Sequence, residues 1–134
     1  MSGFNQERVA ELLAADNYAR SLGIELVSVS AEEIVVAMDV RPQHLNFLSV
    51  GHGGAVFSLA DCAFSLASNN AGDRAVAIDT HLVLTAATRE GDRLEATVRE
   101  TSRGRTLGTY RAEVRRPDGR SAALFTGTVH ITSG

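Results

Sequence analysis

The sequence predicts an α+β fold: a long central helix wrapped by a curved antiparallel sheet of about six strands, with a further helix at the N-terminus. Three observations predict it. The run from Ala55 to Ala67 is apolar on almost every side and holds a single charge, Asp61, so it reads as a helix buried on most faces. Segments of apolar–polar alternation stand before and after that run, as half-buried strands require. Short turns rich in Gly, Asp and Pro separate the later segments, which favours antiparallel neighbours.

Each element follows from its residues. Residues 5–20 carry Val9, Leu12 and Leu13 at helical spacing, with Glu7, Arg8 and Glu11 opposite; Asp16, Asn17 and Tyr18 continue that edge, and Gly23 ends it. One helix is expected there. Ile24, Leu26 and Ser28 open a first strand, and Ser30-Ala31-Glu32 turns the chain. Ile34, Val36, Met38 and Val40 alternate with Val35, Ala37, Asp39 and Arg41 in a second strand, stopped by Pro42, which lacks the N–H a ladder needs. A loop over 43–52 carries His44, Asn46 and His52. The buried helix runs from Gly53 to about Ser68, with the Asn69-Asn70 pair at its end and Gly72 as its C-terminal cap.

Four further strands are expected as one consecutive meander. Val76, Ile78, Thr80, Leu82 and Leu84 should share a face of the first, and Glu90-Gly91-Asp92 turns the chain. Leu94, Ala96 and Val98 alternate with Glu95, Thr97 and Arg99, followed by a turn at Ser102-Arg103-Gly104-Arg105. Tyr110, Ala112 and Val114 mark the next strand, Pro117-Asp118-Gly119 a hairpin, and Phe125, Gly127, Val129 and Ile131 the last. A single sheet wraps only part of a helix this apolar, so the remainder needs another surface, most simply a second copy of the chain.

The totals bound the answer. With 134 residues, residues 1–134 form one domain with one core. A net charge of −3 leaves no electrostatic footprint for nucleic acid. All 13 basic residues are Arg, a choice that suits phosphate-bearing ligands but more often reflects genome composition. Cys62 is the only cysteine, so no intramolecular disulfide forms. The N-terminus has no basic start followed by an apolar stretch, and the run at 55–67 is too short to cross a bilayer. A cytoplasmic location is expected.

The chemistry concentrates at the helix start and at Asp61. The first amides of a helix lack partners inside it and point outward with the positive end of the helix dipole behind them. Gly53 and Gly54 let a ligand approach those amides closely, which suits an anion or a developing oxyanion. Paired glycines also serve packing alone, and Asn46 and His52 can simply bond their own backbone. Asp61 is the only charged side chain between Arg41 and Asp73. It is either a structural partner for backbone or an Arg, or a general base or nucleophile. Gly53 and Asp61 stand eight positions apart, about 12 Å along a helix axis, too far to act on one carbonyl. Two antiparallel copies of the helix can bring the Gly53 of one near the Asp61 of the other, so the spacing predicts either a site shared by a dimer or no such chemistry.

These residues resemble the hotdog-fold thioesterases, in particular the phenylacetic-acid-degradation (PaaI-type) branch. The resemblance rests on Asn46, His52 six residues on, Gly53-Gly54, and Leu59-Ala60-Asp61, with nine residues from His52 to Asp61, and it runs from about Leu22 to Ile131. It implies a hotdog fold, protomers joined sheet edge to sheet edge, and dimers that pair into tetramers. It implies an acyl-CoA thioesterase that needs no cofactor, coenzyme A being part of the substrate. Asp61 would be the catalytic carboxylate, and the partner's Gly53 N–H would hold the thioester oxygen. His52 would assist there, and Asn46 would orient the water or Asp61. Where some relatives carry a water-holding Ser or Thr on the following strand, this chain has Ala77, with Asp79 and Thr80 just after it; Ala86-Ala87 stand where the family often has Pro. Gly54, Ala77 and Asp79 are candidate pocket residues, and Arg103 and Arg105 candidate partners for CoA phosphates, with Arg74 and Arg89 as weaker ones. An aryl-acetyl or hydroxyaryl-acetyl group is one possible acyl moiety.

Other readings stay open. A non-catalytic acyl-CoA-binding module would keep the glycine amides but has no use for Asp61. A hotdog dehydratase needs a His and an acid at other spacings. A metal enzyme using His44, His52, His81, His130 and Asp61 is disfavoured, because the histidines are scattered and no Cys pair accompanies them.

Overall fold

The computed structural model describes residues 3–132. Helices α1 (Gln6–Ala15) and α2 (Asn17–Ser21) precede strands β1 (Glu25–Val29) and β2 (Ile34–Asp39). A 3-10 turn at Pro42–His44 leads to helix α3 (Gly53–Asn69), and β3 (Arg74–Leu84), β4 (Arg93–Arg103), β5 (Leu107–Arg115) and β6 (Ser121–Thr132) follow. All six strands form one antiparallel sheet in the order β1-β2-β4-β5-β6-β3. No helix among the described residues is long and apolar enough to cross a membrane.

The sheet curls around α3. Ile34, Val36 and Met38, Leu94, Ala96 and Val98, and Tyr110, Ala112 and Val114 form successive inward rows, all buried. From α3, Leu59, Ala60, Ala63 and Phe64 meet them, each at most 1% exposed. Phe64 is the keystone of this contact. Its ring lies 5.3 Å from that of Phe125 and 5.8 Å from that of Tyr110. Gly127 makes the seat, since a Cβ there would stand 2.7 Å from the Phe64 ring. Burying each large side chain of this kind stabilises the fold by about 1.5–3 kcal/mol.

Several expectations need correction. The N-terminal helix is two helices, because Asp16 leaves helical geometry (φ −86°, ψ 98°) and turns its carboxylate to cap the Ala19 N–H at 3.0 Å. The four last strands are not a consecutive meander. β3 lies beyond β6 at the sheet edge, and β2 takes the place beside β4. The Glu90-Gly91-Asp92 turn joins the end of β2 instead of closing a β3–β4 hairpin: Gly91 donates to Val40 O and Val40 to Asp92 O. Val76 and Ile78 do not share a face with Thr80, Leu82 and Leu84. A bulge at Ile78 shifts the register, so Ala75, Ala77, Thr80, Leu82 and Leu84 oppose the inward row of β6. Ser102 and Arg103 belong to β4, and the turn follows at Gly104. In β2, Val35 and Ala37 are buried as well as Val36 and Met38, each flanked on both neighbouring strands by polar residues, Ala37 by Glu25 and Glu95.

The far end of α3 is closed by side chains. Asn70 donates to Leu66 O and Ala67 O and accepts from Asn5 N, while Asn69 bonds both backbone groups of Ala75. Gly72 (φ +97°) lies beyond this cap, which Asn70 itself supplies.

Candidate active site

The loop before α3 is tied down at several points. A bridge between Leu45 and Gly51 closes a tight loop, and Asn46 Oδ1 accepts from Leu48 N at 2.9 Å and from Val50 N at 3.4 Å. Gly51 N donates to Thr88 O at 2.7 Å, and a side chain at Gly51 would collide with the buried Thr88 hydroxyl. His52 N donates to His44 O at 2.7 Å. These bonds hold the helix start against the segment after β3. They leave the Asn46 side-chain NH2 without a partner among the described residues.

His52 caps α3. Its Nδ1 accepts from Gly54 N at 2.7 Å, so the neutral ring carries its proton on Nε2 and presents a donor outward. Ala55 N and Val56 N turn back to His52 O. Of the first amides, Gly54 is therefore already engaged, against the expectation of a glycine pair open to a ligand. Gly53 N–H alone has no acceptor among the described residues. Gly53 lines a cavity of about 300 Å³ together with Asn46, Gly51, Val56, Leu84 and Thr88. The helix dipole concentrates positive potential at this spot.

Asp61 lies well along the same helix. Neither the sheet nor α1–α2 closes over one stripe of α3. Gly54 and Ser65 on that stripe are exposed, and Ser58 and Asp61 are half-buried between them. The Asp61 carboxylate accepts no hydrogen bond and pairs with no Arg among the described residues, so the structural roles open to it in sequence are not taken up. Burial holds its pKa above the ordinary 3.8, and the Asp16 carboxylate at the α1–α2 break adds to the shift. The adjacent Cys62 is buried, and its thiol is pushed up to about 12, chiefly by burial and then by Asp16 and Asp61. It is a core residue and a poor nucleophile.

The remaining candidates scatter within one subunit. Gly54 sits on the exposed side of the helix start, away from the Gly53 cavity. Ala77 pairs with Val129 on the edge strand. Asp79 pairs with Thr128 and lines a shallow hollow on the other face of the sheet, with Thr109 and Thr126. Arg103 donates to Ser68 O at 3.1 Å and to Tyr110 Oη at 2.7 Å, closing the C-terminal end of α3. Arg105 is exposed in the turn between β4 and β5. His44 is buried with Nδ1 accepting from Arg41 N, while His81 and His130 are exposed. Among the described residues no three His, Cys, Asp or Glu side chains gather as a metal site would need.

Sequence reasoning missed Asp16, Tyr18 and Ser58. Tyr18 Oη lies 3.3 Å from Ser58 Oγ, one turn before Asp61. The signal was present: apolar spacing fails after Leu13, and Asp is a favoured N-cap residue.

Comparison with known proteins gives a consistent picture. The profile of the thioesterase superfamily matches residues 48–123. A Deinococcus radiodurans protein named "Putative esterase" is 46% identical over 116 residues, 86% of this chain and 79% of that protein. The acyl-coenzyme A thioesterase PaaI of Escherichia coli is 37% identical over 89% of this chain and 85% of its own. The solved structure of E. coli PaaI, from the phenylacetic acid degradation operon, superposes with a TM-score of 0.92 at 34% identity, covering 96% of this chain and 94% of that one. The smu.793 protein of Streptococcus mutans, solved bound to acetyl CoA, superposes with a TM-score of 0.78 at 26% identity over 82% of this chain and 89% of its own.

Proposed function

This chain belongs to the thioesterase superfamily, and from that premise we propose that it hydrolyses an acyl-coenzyme A thioester to the free acid and coenzyme A. Its fold is the hotdog fold. The observation that carries the proposal is the pair of unengaged groups on α3: a lone Gly53 N–H at the helix start and a bare, half-buried Asp61 further along.

Eight positions apart on one helix, about 12 Å along its axis, they can act on one carbonyl only if they come from different subunits. In a dimer with antiparallel α3 helices, the thioester oxygen of a bound substrate accepts from Gly53 N–H of one subunit. Asp61 of the other takes a proton from water as the water oxygen bonds to the carbonyl carbon. The tetrahedral oxyanion is held by the amide and the helix dipole behind it, a donor worth about 10²–10³-fold in rate. Collapse breaks the C–S bond, and the departing thiolate receives the proton from Asp61. A raised pKa makes Asp61 the stronger base for this work. Direct attack of Asp61 on the carbon, through a mixed anhydride, uses the same placement. His52 Nε2–H and the free Asn46 NH2 are donors available beside the substrate carbonyl and the water. The reaction needs no cofactor.

Strand β3 supports the dimer. It is a long edge strand whose Val76 and Ile78 are 52% and 60% exposed, a ready template for pairing with its own copy. Pairs of such dimers would make the tetramer. With Arg103 committed to the helix end, Arg105 is the freer of the two candidates for CoA phosphates. An aryl-acetyl or hydroxyaryl-acetyl ester is the first substrate to try, by likeness to E. coli PaaI.

Thiol release from a panel of acyl-CoA esters tests the reading. Asp61→Asn should lower kcat/KM by about 10²–10⁴-fold while sedimentation shows an unchanged dimer. A near-normal rate removes Asp61 from the mechanism, and saturable ester binding without thiol release makes the protein a binding module.

A further inference from the structure

Tyr18 is 63% exposed, although the next residue of its helix, Ala19, is buried in the core. An exposed aromatic ring on a surface needs no explanation when it is free to wander. This one is held. Ser58 Oγ donates to Gly54 O at 2.8 Å, which leaves its lone pair to accept the Tyr18 hydroxyl at 3.3 Å. The short helix that carries Tyr18 exists because Asp16 breaks the chain and caps Ala19. Break, cap and hydroxyl contact together direct the ring onto the uncovered stripe of α3. Ser58 precedes Asp61 by three positions, about 4.5 Å of helix rise, on one face. The tyrosine hydroxyl is thus fixed one helical turn before the residue that carries the carboxylate, while most of the side chain stays exposed.

We propose that Tyr18 is a specificity-determining residue whose ring walls the acyl pocket beside Asp61 and favours acyl groups bearing a flat aromatic ring over straight chains. The proposal rests on the thioesterase reading above. Its physical basis is the preference of aromatic rings for offset or edge-on contact with one another, beyond the area they bury. The tyrosine hydroxyl anchors the wall to Ser58, and the ring makes the contact.

The test compares kcat/KM for phenylacetyl-CoA and hexanoyl-CoA in the wild type, Tyr18→Phe and Tyr18→Ala. Because the side chain is exposed, both variants should keep the melting temperature of the wild type closely. The aromatic-to-straight-chain ratio should fall about 5- to 10-fold in Tyr18→Ala, through KM for the aromatic ester, and by less in Tyr18→Phe, which keeps the ring and loses only its anchor to Ser58. An unchanged ratio in Tyr18→Ala overturns the proposal, as does a Tyr18→Phe loss equal to that of Tyr18→Ala. If the wild type turns over neither these esters nor any other acyl-CoA, the thioesterase reading falls and this proposal with it; turnover with an unchanged ratio overturns only the role of Tyr18.

Discussion

Gly127→Ala should destabilise the protein through a single contact. Gly127 lies on the inward row of β6, opposite Tyr110 on β5 and Thr80 on β3. A Cβ there would stand 2.7 Å and 2.9 Å from two carbons of the Phe64 ring and 3.0 Å from the Phe125 ring. Carbon atoms rest at about 3.5–4.0 Å, so one of these rings must retreat by nearly 1 Å. Neither can do so freely. Phe64 and Phe125 are each 1% exposed, their centroids 5.3 Å apart, with Tyr110 behind Phe64. Overpacking of this kind costs about 1–3 kcal/mol. Removing a glycine from a strand returns about 0.5–1 kcal/mol of backbone entropy. A net loss of about 1–2 kcal/mol remains, a fall in melting temperature of about 4–8 °C for a chain of this size. Thermal unfolding followed by circular dichroism, at one fixed protein concentration because association contributes to stability, measures it. Phe64→Leu in the same background should be less destabilising than the sum of the two single changes, since the smaller side chain gives the new methyl room. A melting temperature that is unchanged or raised in Gly127→Ala, or strict additivity in the double variant, would refute the packing argument.

Two other expectations follow from the site and the edge. Asp16→Asn keeps the oxygen that caps Ala19 but removes the charge that helps to raise the Asp61 pKa. Catalysis needs the Asp61 carboxylate, so activity is lost as pH falls through that pKa, and the acid limb of kcat/KM should move to lower pH in the variant; a limb that stays put or moves up contradicts the assignment. Ile78→Glu places a charge on the exposed edge strand, where the monomer loses none of its core. Sedimentation should show dissociation and thioester turnover should vanish with it, whereas an active monomer would end the shared-site mechanism.

Local chemistry and periodicity made much of this protein legible before any fold was known. The apolar character of 53–68, the alternation in each strand and the hairpin at Pro117-Asp118-Gly119 all report which face of a segment is buried or where backbone must turn, and each of those is a property of neighbouring residues. Asp61 stood out for the same reason, as a charge with no local justification. Partner choice is different. Alternation says that a strand has an inner face but not which strand lies beside it: the place of β3 shows only in its pairing with β6, and that of β4 in the pinning of Gly91 and Asp92 onto Val40 at the end of β2. One bulge at Ile78 then reversed which side chains of β3 face inward. The commitment of Arg103 to the end of α3 and the arrival of Tyr18 beside Ser58 are likewise contacts between pieces of chain distant in sequence. Side-chain donors choose partners by proximity in space, and that proximity exists only once the sheet has closed around the helix.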